Sequence, residues 1–321
     1  VVIAAAVPLL VPREQRTQRR RGRARSVRLV AGRGLLPATP TGAVVMKELR
    51  QWRRDSWRAL ESSTAVWSGI AIGVFALLGG YTAPVAAFAG VIVAVMVSLS
   101  GCNLYGQDGS AVWQNVVGQS PWSVRSDVRG RQWAMVLVFL PRALLVSAIF
   151  VVLAQAWWSI PFVVAALPAT VGAASGAAIL TSAIGVSPGV DPRRRVGPND
   201  ANGNISIHVW VALILTAVGV LPTVGMIVWT AVTPSPWIIA LTAVVGLLNG
   251  LAAAWLLGRI AIGYLDRAMV DVFSRIRYAR VFRETSGGVL DGIAAATLKG
   301  ELQAAQTKQK ERDRKLAKAR G

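Results

Sequence analysis

Residues 62–107, SSTAVWSGIAIGVFALLGGYTAPVAAFAGVIVAVMVSLSGCNLYGQ, hold no charged side chain between Glu61 and Asp108. A helix needs about 20 mostly apolar residues to cross about 30 Å of hydrocarbon, so this stretch has room for two crossings. It is interrupted once, at Gly79-Gly80-Tyr81-Thr82-Ala83-Pro84, where Gly and Pro break a helix. The pattern recurs twice. Residues 143–190 carry no charge and break at Trp157-Trp158-Ser159-Ile160-Pro161; residues 201–258 carry only His208 and break at Thr233-Pro234-Ser235-Pro236-Trp237. Most breaks sit beside aromatic residues suited to a membrane interface. The expected fold is therefore an all-α polytopic membrane protein of six transmembrane helices in three hairpins, near 64–80, 84–102, 133–155, 160–183, 208–231 and 237–258.

Composition agrees. The chain is 54% hydrophobic yet carries a formal net charge of +20, and the basic residues are segregated. Of 35 Lys and Arg, 14 lie in residues 1–61, 14 in residues 259–321 and 7 between them. Such an excess also suits nucleic acid, but here it flanks apolar spans in the way that sets membrane orientation, so no nucleic-acid partner is expected. The loops joining hairpins carry Arg125, Arg129 and Arg131, and Arg193, Arg194 and Arg195, whereas the hairpin turns are uncharged. Both termini and both arginine-bearing loops are accordingly expected on the cytoplasmic side.

Outside the membrane domain at 62–258, five segments are distinguished. Residues 1–11, VVIAAAVPLLV, have no basic residues before them and many after, and read as the tail of a truncated upstream transmembrane helix rather than a signal peptide. Residues 12–41 form a basic linker. Residues 42–61 read as an amphipathic interfacial helix, with Val45, Leu49 and Trp52 at i, i+4 and i+7. Residues 259–285 continue as a cytoplasmic helix carrying Leu265, Met269, Val272, Phe273 and Ile276 on one stripe. Residues 286–321 are a basic, mobile tail.

No catalytic, cofactor-binding or metal-ligating constellation emerges. There is no G-x-x-x-x-G-K-[ST] phosphate loop and no H-E-x-x-H, and one Cys and one His build neither a disulfide nor a His-rich metal site. Cys102 reads as a small apolar filler and His208 as a polar residue at a span's edge. One full charge lies at membrane depth, Arg142, directly after Pro141. An ionised group there suggests a function by default; equally, Pro141 frees carbonyls that the guanidinium can meet, or the side chain snorkels. The pairs Gly69/Gly73, Gly172/Gly176 and Gly246/Gly250 suit close helix packing, and Asn249 suits an interhelical hydrogen bond.

The loop 103–132, NLYGQDGSAVWQNVVGQSPWSVRSDVRGRQ, contains Asp108 and Ser110 as helix caps ahead of a stripe of Val112, Trp113, Val116 and Val117. A short amphipathic helix is expected, resting on the inner leaflet or received by a partner protein. NLYGQDGSAVW at 103–113 and DVRGRQWA at 127–134 resemble the Asn-x-Phe-Gly-x-Asp-Gly and Gly-Arg/Lys-Asn-x-Ala stretches of bacterial type-two ATP-binding-cassette exporter permeases. KELRQWRRD at 47–55 is similar to that family's Lys-Glu-x-Arg-Tyr-x-x-Arg-Asp entry segment, and GYLDRAMVDVFSRIRY at 263–278 to its helix after the last span. The departures are Tyr105 for Phe, Gln132 for Asn and Ser56 for Pro.

The resemblance, over about residues 42–280, implies the C-terminal six-span half of a permease, with no cofactor of its own. ATP would be hydrolysed by a separate cytoplasmic ATP-binding-cassette subunit touching the helix at 110–117 as a coupling element. The further partners implied are the lipid bilayer and an upstream permease half or a second permease copy. The alternative is a non-transporting membrane anchor or assembly factor. Neither reading names the cargo.

Overall fold

The structure is a computed structural model that describes residues 39–118, 121–187 and 205–278, with the helical positions 299, 303, 306, 307 and 310. The helix tail expected at 1–11, the linker as far as residue 38, the arginine triplet at 193–195 and most of the tail at 286–321 lie outside the described residues.

The chain is an all-α polytopic membrane protein: six of its helices are long and apolar enough to span a bilayer, and no strand occurs among the described residues. In order, the elements are α1 (Pro40–Arg54), α2 (Ser56–Leu78), a 3-10 turn (Ala83–Phe88) leading into α3 (Ala89–Gly101), α4 (Leu104–Asp108), a 3-10 turn (Gly109–Val112), α5 (Trp113–Val117), α6 (Pro121–Leu153), a 3-10 turn (Trp157–Ser159), α7 (Ile160–Ile184), α8 (Ser206–Val232) and α9 (Pro236–Tyr278). The spanning segments are Ser56–Leu78, Ala83–Gly101, Trp122–Leu153, Trp157–Ile184, Ser206–Val232 and Pro236–Arg277.

Three boundaries differ from the sequence expectation. The amphipathic helix expected at 42–61 stops at Arg54. Asp55 takes an extended conformation and its carboxylate accepts from the Trp57 amide at 2.9 Å, capping α2, so residues 56–61 belong to the first span. Arg125, Arg129 and Arg131, expected in a loop, occupy the first turns of α6. The cytoplasmic helix expected after the last span is its uninterrupted continuation, because nothing between Pro236 and Tyr278 breaks the 43-residue α9. At 1.5 Å per residue it is about 64 Å long, roughly twice the hydrocarbon thickness.

The core forms around α7, whose spanning window is 83% buried against 17–50% for the other five. Small residues set this. A Cβ at Gly172 would collide with the backbone of Gly250, and one at Gly250 with Pro168 and Ala169, so α7 and α9 touch backbone to backbone where both lack bulk. Gly246 approaches Ala165, and Gly176 approaches Leu257 and Ala253. Gly69 and Gly73 likewise seat Val93 and Phe150. The glycine pairs thus serve packing within the chain. Asn249 ties α9 to α8, its Nδ2 donating to Gly219 O (3.0 Å) and Thr223 Oγ1 (2.9 Å). Cys102 is a buried filler, and His208 lies buried in the first turn of α8.

Outward faces are apolar along the spans, with Trp67, Phe75, Val218, Leu221 and Leu248 all exposed. In water such a surface would be strongly unfavourable; against lipid it is the matched solvent. Exposed tryptophans mark both margins, Trp122, Trp210 and Trp255 towards one end and Trp157, Trp229 and Trp237 towards the other. The first end, which holds α1, α4 and α5, is the charged end; the second, with the short hairpin turns, is the turn end.

Candidate functional site

At the charged end six ionised side chains from four segments converge. α1 contributes Lys47 and Glu48, α2 contributes Arg58, α4 contributes Asp108, and α6 contributes Asp127 and Arg131. Asp108 is the hub. Its Oδ1 accepts from Arg58 Nη2 at 2.7 Å, and its Oδ2 from Lys47 Nζ at 2.7 Å and Arg131 Nη2 at 2.6 Å. Glu48 Oε2 accepts from Arg58 Nη1 at 2.6 Å. Its Oε1 lies 3.1 Å from Arg131 Nη1, an ion pair not aligned as a hydrogen bond. Arg131 Nε completes the set on Asp127 Oδ2 at 2.9 Å.

Three acids face three bases, so the cluster has no net charge. That balance permits its burial, since an unpaired ion in a low-dielectric interior costs several kcal/mol. Arg58, Arg131, Glu48 and Asp108 have side chains 1–2% exposed. Burial by itself would raise the Asp108 carboxyl, but Arg131, Arg58 and Lys47 outweigh it and hold the group well below the usual carboxylate range.

Around the hub, the resemblance-bearing residues each have a physical task. Asn103 makes a two-way bridge to the chain just beyond α7, Nδ2 donating to Ser187 O (2.8 Å) and the Ser187 amide donating to Oδ1 (3.1 Å). The Tyr105 amide donates to Ser182 Oγ, also at 2.8 Å. Tyr105 donates its hydroxyl to Asp127 Oδ2 at 2.8 Å while the Arg131 guanidinium lies 4.5 Å from its ring centroid. Burial, then the Asp127 carboxylate, pushes that phenol well above its ordinary value. Gly106 sits against Ser187 O and Asn103 with no space for a Cβ. Gly109 follows the hub at φ +58° and ψ −133°, a conformation only glycine adopts without strain. Gly130 admits Val44 of α1, and Trp52 of α1 packs edge-on to Phe139 of α6 with centroids 5.3 Å apart.

Asp108, expected as a helix cap, ends α4 and serves ion pairing, while α5 has Val112 at its N-cap position and no side-chain cap. The side chain of Ser110 lies outside the described residues. The stripe at 112–117 is split by the helix turn. Val112 is buried and Val116 packs against the core, whereas Trp113 and Val117 point away, 49% and 73% exposed. The α5 segment rests against α9. Arg142 is exposed, and its Nη1 donates to Val138 O one turn back at 2.6 Å; no ion pair to it occurs among the described residues.

Sequence reasoning placed Asp108 and Arg131 in one loop, 103–132, without pairing them, and singled out none of Glu48, Arg58 and Asp127, although Glu48 and Asp127 lie in the stretches quoted at 47–55 and 127–134. The available signal was charge in otherwise buried company: Glu48 shares the helix face of Val45 and Trp52. Compared with known proteins, the chain matches no family model, no curated protein and no solved structure.

Proposed function

We propose that the chain is the transmembrane permease part of an ATP-driven exporter in a bacterial cytoplasmic membrane, with its charged end in the cytoplasm. It moves a substrate while a separate ATP-binding-cassette subunit hydrolyses ATP, and it works with an upstream permease half or a second permease copy. The observation that carries this reading is a surface helix rigidly fastened to the spans. Trp113 and Val117 present an apolar face, and five residues before Trp113 Asp108 is bonded to α1, α2 and α6 at once. A push on α5 is thereby delivered to several helices together, as a coupling element requires; an anchor has no need of that linkage.

Two further features support the reading. The three segments resembling the exporter permeases, 47–55, 103–113 and 127–134, are distant in sequence yet meet in one ion cluster. Arg142, about 16 Å from the turn-end terminus of α6 at 1.5 Å per residue, lies exposed at membrane depth, where a charge on a lipid face is costly. A second permease half covering that face accounts for it.

The test is co-purification. Trp113→Ala is expected to weaken capture of the ATPase subunit by about 2 kcal/mol, roughly thirtyfold, as truncation of an interface anchor does. Trp237→Ala at the turn end leaves capture unchanged. Equal capture by both variants would remove α5 as the ATPase contact.

A further inference from the structure

An open groove of about 670 Å³ runs between α6 and α9 with α7 as its floor. Pro168 and Gly172 form part of the floor, Leu140 and Leu251 the walls. Trp133 and Trp255, each 51% exposed, stand at its rim. Backbone contact between α7 and α9 at Gly172 and Gly250 draws α9 down onto α7. The hydrogen bonds joining α6 to α9 all lie at the charged end, and the space above them stays open.

That end is basic. Arg129 donates to Ala254 O (3.1 Å) and Trp255 O (3.0 Å), and Gln132 to Ala254 O (2.8 Å). They reach the α9 backbone because Gly258 has no side chain; a Cβ there would lie 2.7 Å from Arg129 Nη1. Arg125 is exposed one turn before Arg129 on the same face, and the Arg259 guanidinium lies 5.4 Å from the Trp255 ring centroid. Neither Arg125 nor Arg259 forms an ion pair among the described residues.

Depth matches chemistry. Arg129 is about 36 Å from the turn end of α6, and Arg259 about 35 Å from the turn end of α9, at 1.5 Å per residue. Both therefore lie at headgroup level, while the apolar length of the groove lies within hydrocarbon about 30 Å thick. The smaller groove of about 330 Å³ between Ile72 and Ile227 has no charged lining at all, as befits mere contact with acyl chains. We propose that the α6–α9 groove is a binding site for an anionic phospholipid of the leaflet at the charged end. One acyl chain lies along α7, and the phosphate is held by Arg125, Arg129 and Arg259, in the manner of basic pockets between transmembrane helices.

The experiment is native mass spectrometry of the full chain, delipidated in non-ionic detergent and titrated with phosphatidylglycerol or phosphatidylcholine of identical acyl chains. Phosphatidylglycerol is expected to bind at least roughly tenfold more tightly. Arg125→Gln with Arg259→Gln, which breaks no hydrogen bond among the described residues, lowers it to the phosphatidylcholine level. Arg50→Gln with Arg53→Gln, an equal charge change on exposed positions of α1, leaves the preference intact, and Ala252→Phe, which fills the groove, weakens both lipids. A preference that survives the Arg125/Arg259 variant, or is lost equally in the Arg50/Arg53 variant, overturns the site. So does unchanged binding of both lipids by Ala252→Phe. If Ala252→Phe instead dissolves a dimer without altering lipid occupancy, the groove belongs to a second copy and the proposal fails.

Discussion

Asp108 accepts bonds from three cationic side chains, and its loss is the most informative single change in the molecule. Asp108→Asn keeps the shape but leaves three bases facing two acids in a buried cluster, which costs about 3–5 kcal/mol when a buried pair is broken. Thermal unfolding in detergent micelles should show that loss at neutral pH. The folded-state pKa of Asp108 is depressed, so its contribution is complete above the unfolded value of about 3.9 and is lost as pH falls below it. The gap between parent and variant is thus expected to stay constant from pH 8 to pH 5 and to narrow only below about pH 4; a gap that closes between pH 7 and pH 5 contradicts the assignment. Arg142 behaves oppositely. It forms no ion pair among the described residues, so Arg142→Leu should insert and melt like the parent within about 0.5 kcal/mol while impairing transport. Unimpaired transport at equal membrane abundance would leave snorkelling as its role.

Among elements, spans were legible in the sequence because their signal is a continuous apolar length, which any 20-residue window carries. Boundaries that depend on one residue's contacts were not. The break between α1 and α2 comes from the Asp55 carboxylate capping Trp57, and the local pattern from 42 to 60 is amphipathic straight through it. The continuity of α9 was hidden because a change in composition at Arg259 resembles an end, although helix geometry persists to Tyr278. The ion cluster was the least visible part: Lys47 and Asp108 are 61 positions apart, and Arg58 and Asp108 are 50 apart, so no window contains the hub with all its partners. Glycine contacts were legible as candidates, and the packing ranks them. Gly250→Ala is expected to destabilise by about 1–3 kcal/mol, because its methyl meets the α7 backbone and the helix pair must part. Gly225→Ala, with nothing within 4 Å, should be neutral or stabilising by about 0.5 kcal/mol or more, as alanine favours a helix over glycine. Equal melting temperatures for the two variants would contradict the close α7–α9 contact.

For the whole molecule, orientation links the fold to its proposed role. Arginines crowd the charged end while the hairpin turns are uncharged, and on the positive-inside rule the proposed function sets the former in the cytoplasm. Because Cys102 is buried, it should stay silent to impermeant thiol reagents in intact cells. A cysteine introduced at position 235 should be labelled from outside and one at 197 should not; the reverse pattern would invert the assignment and remove α5 from any cytoplasmic ATPase. The most direct measurement then places a photo-crosslinking residue at position 113 of the full chain in its native membrane, with position 237 as the control. The account predicts a crosslink from 113 to a protein carrying a phosphate-loop nucleotide site, diminished in the Asp108→Asn background and absent from 237. Crosslinks from 113 to lipid alone would contradict it, leaving α5 as a helix that rests on the bilayer.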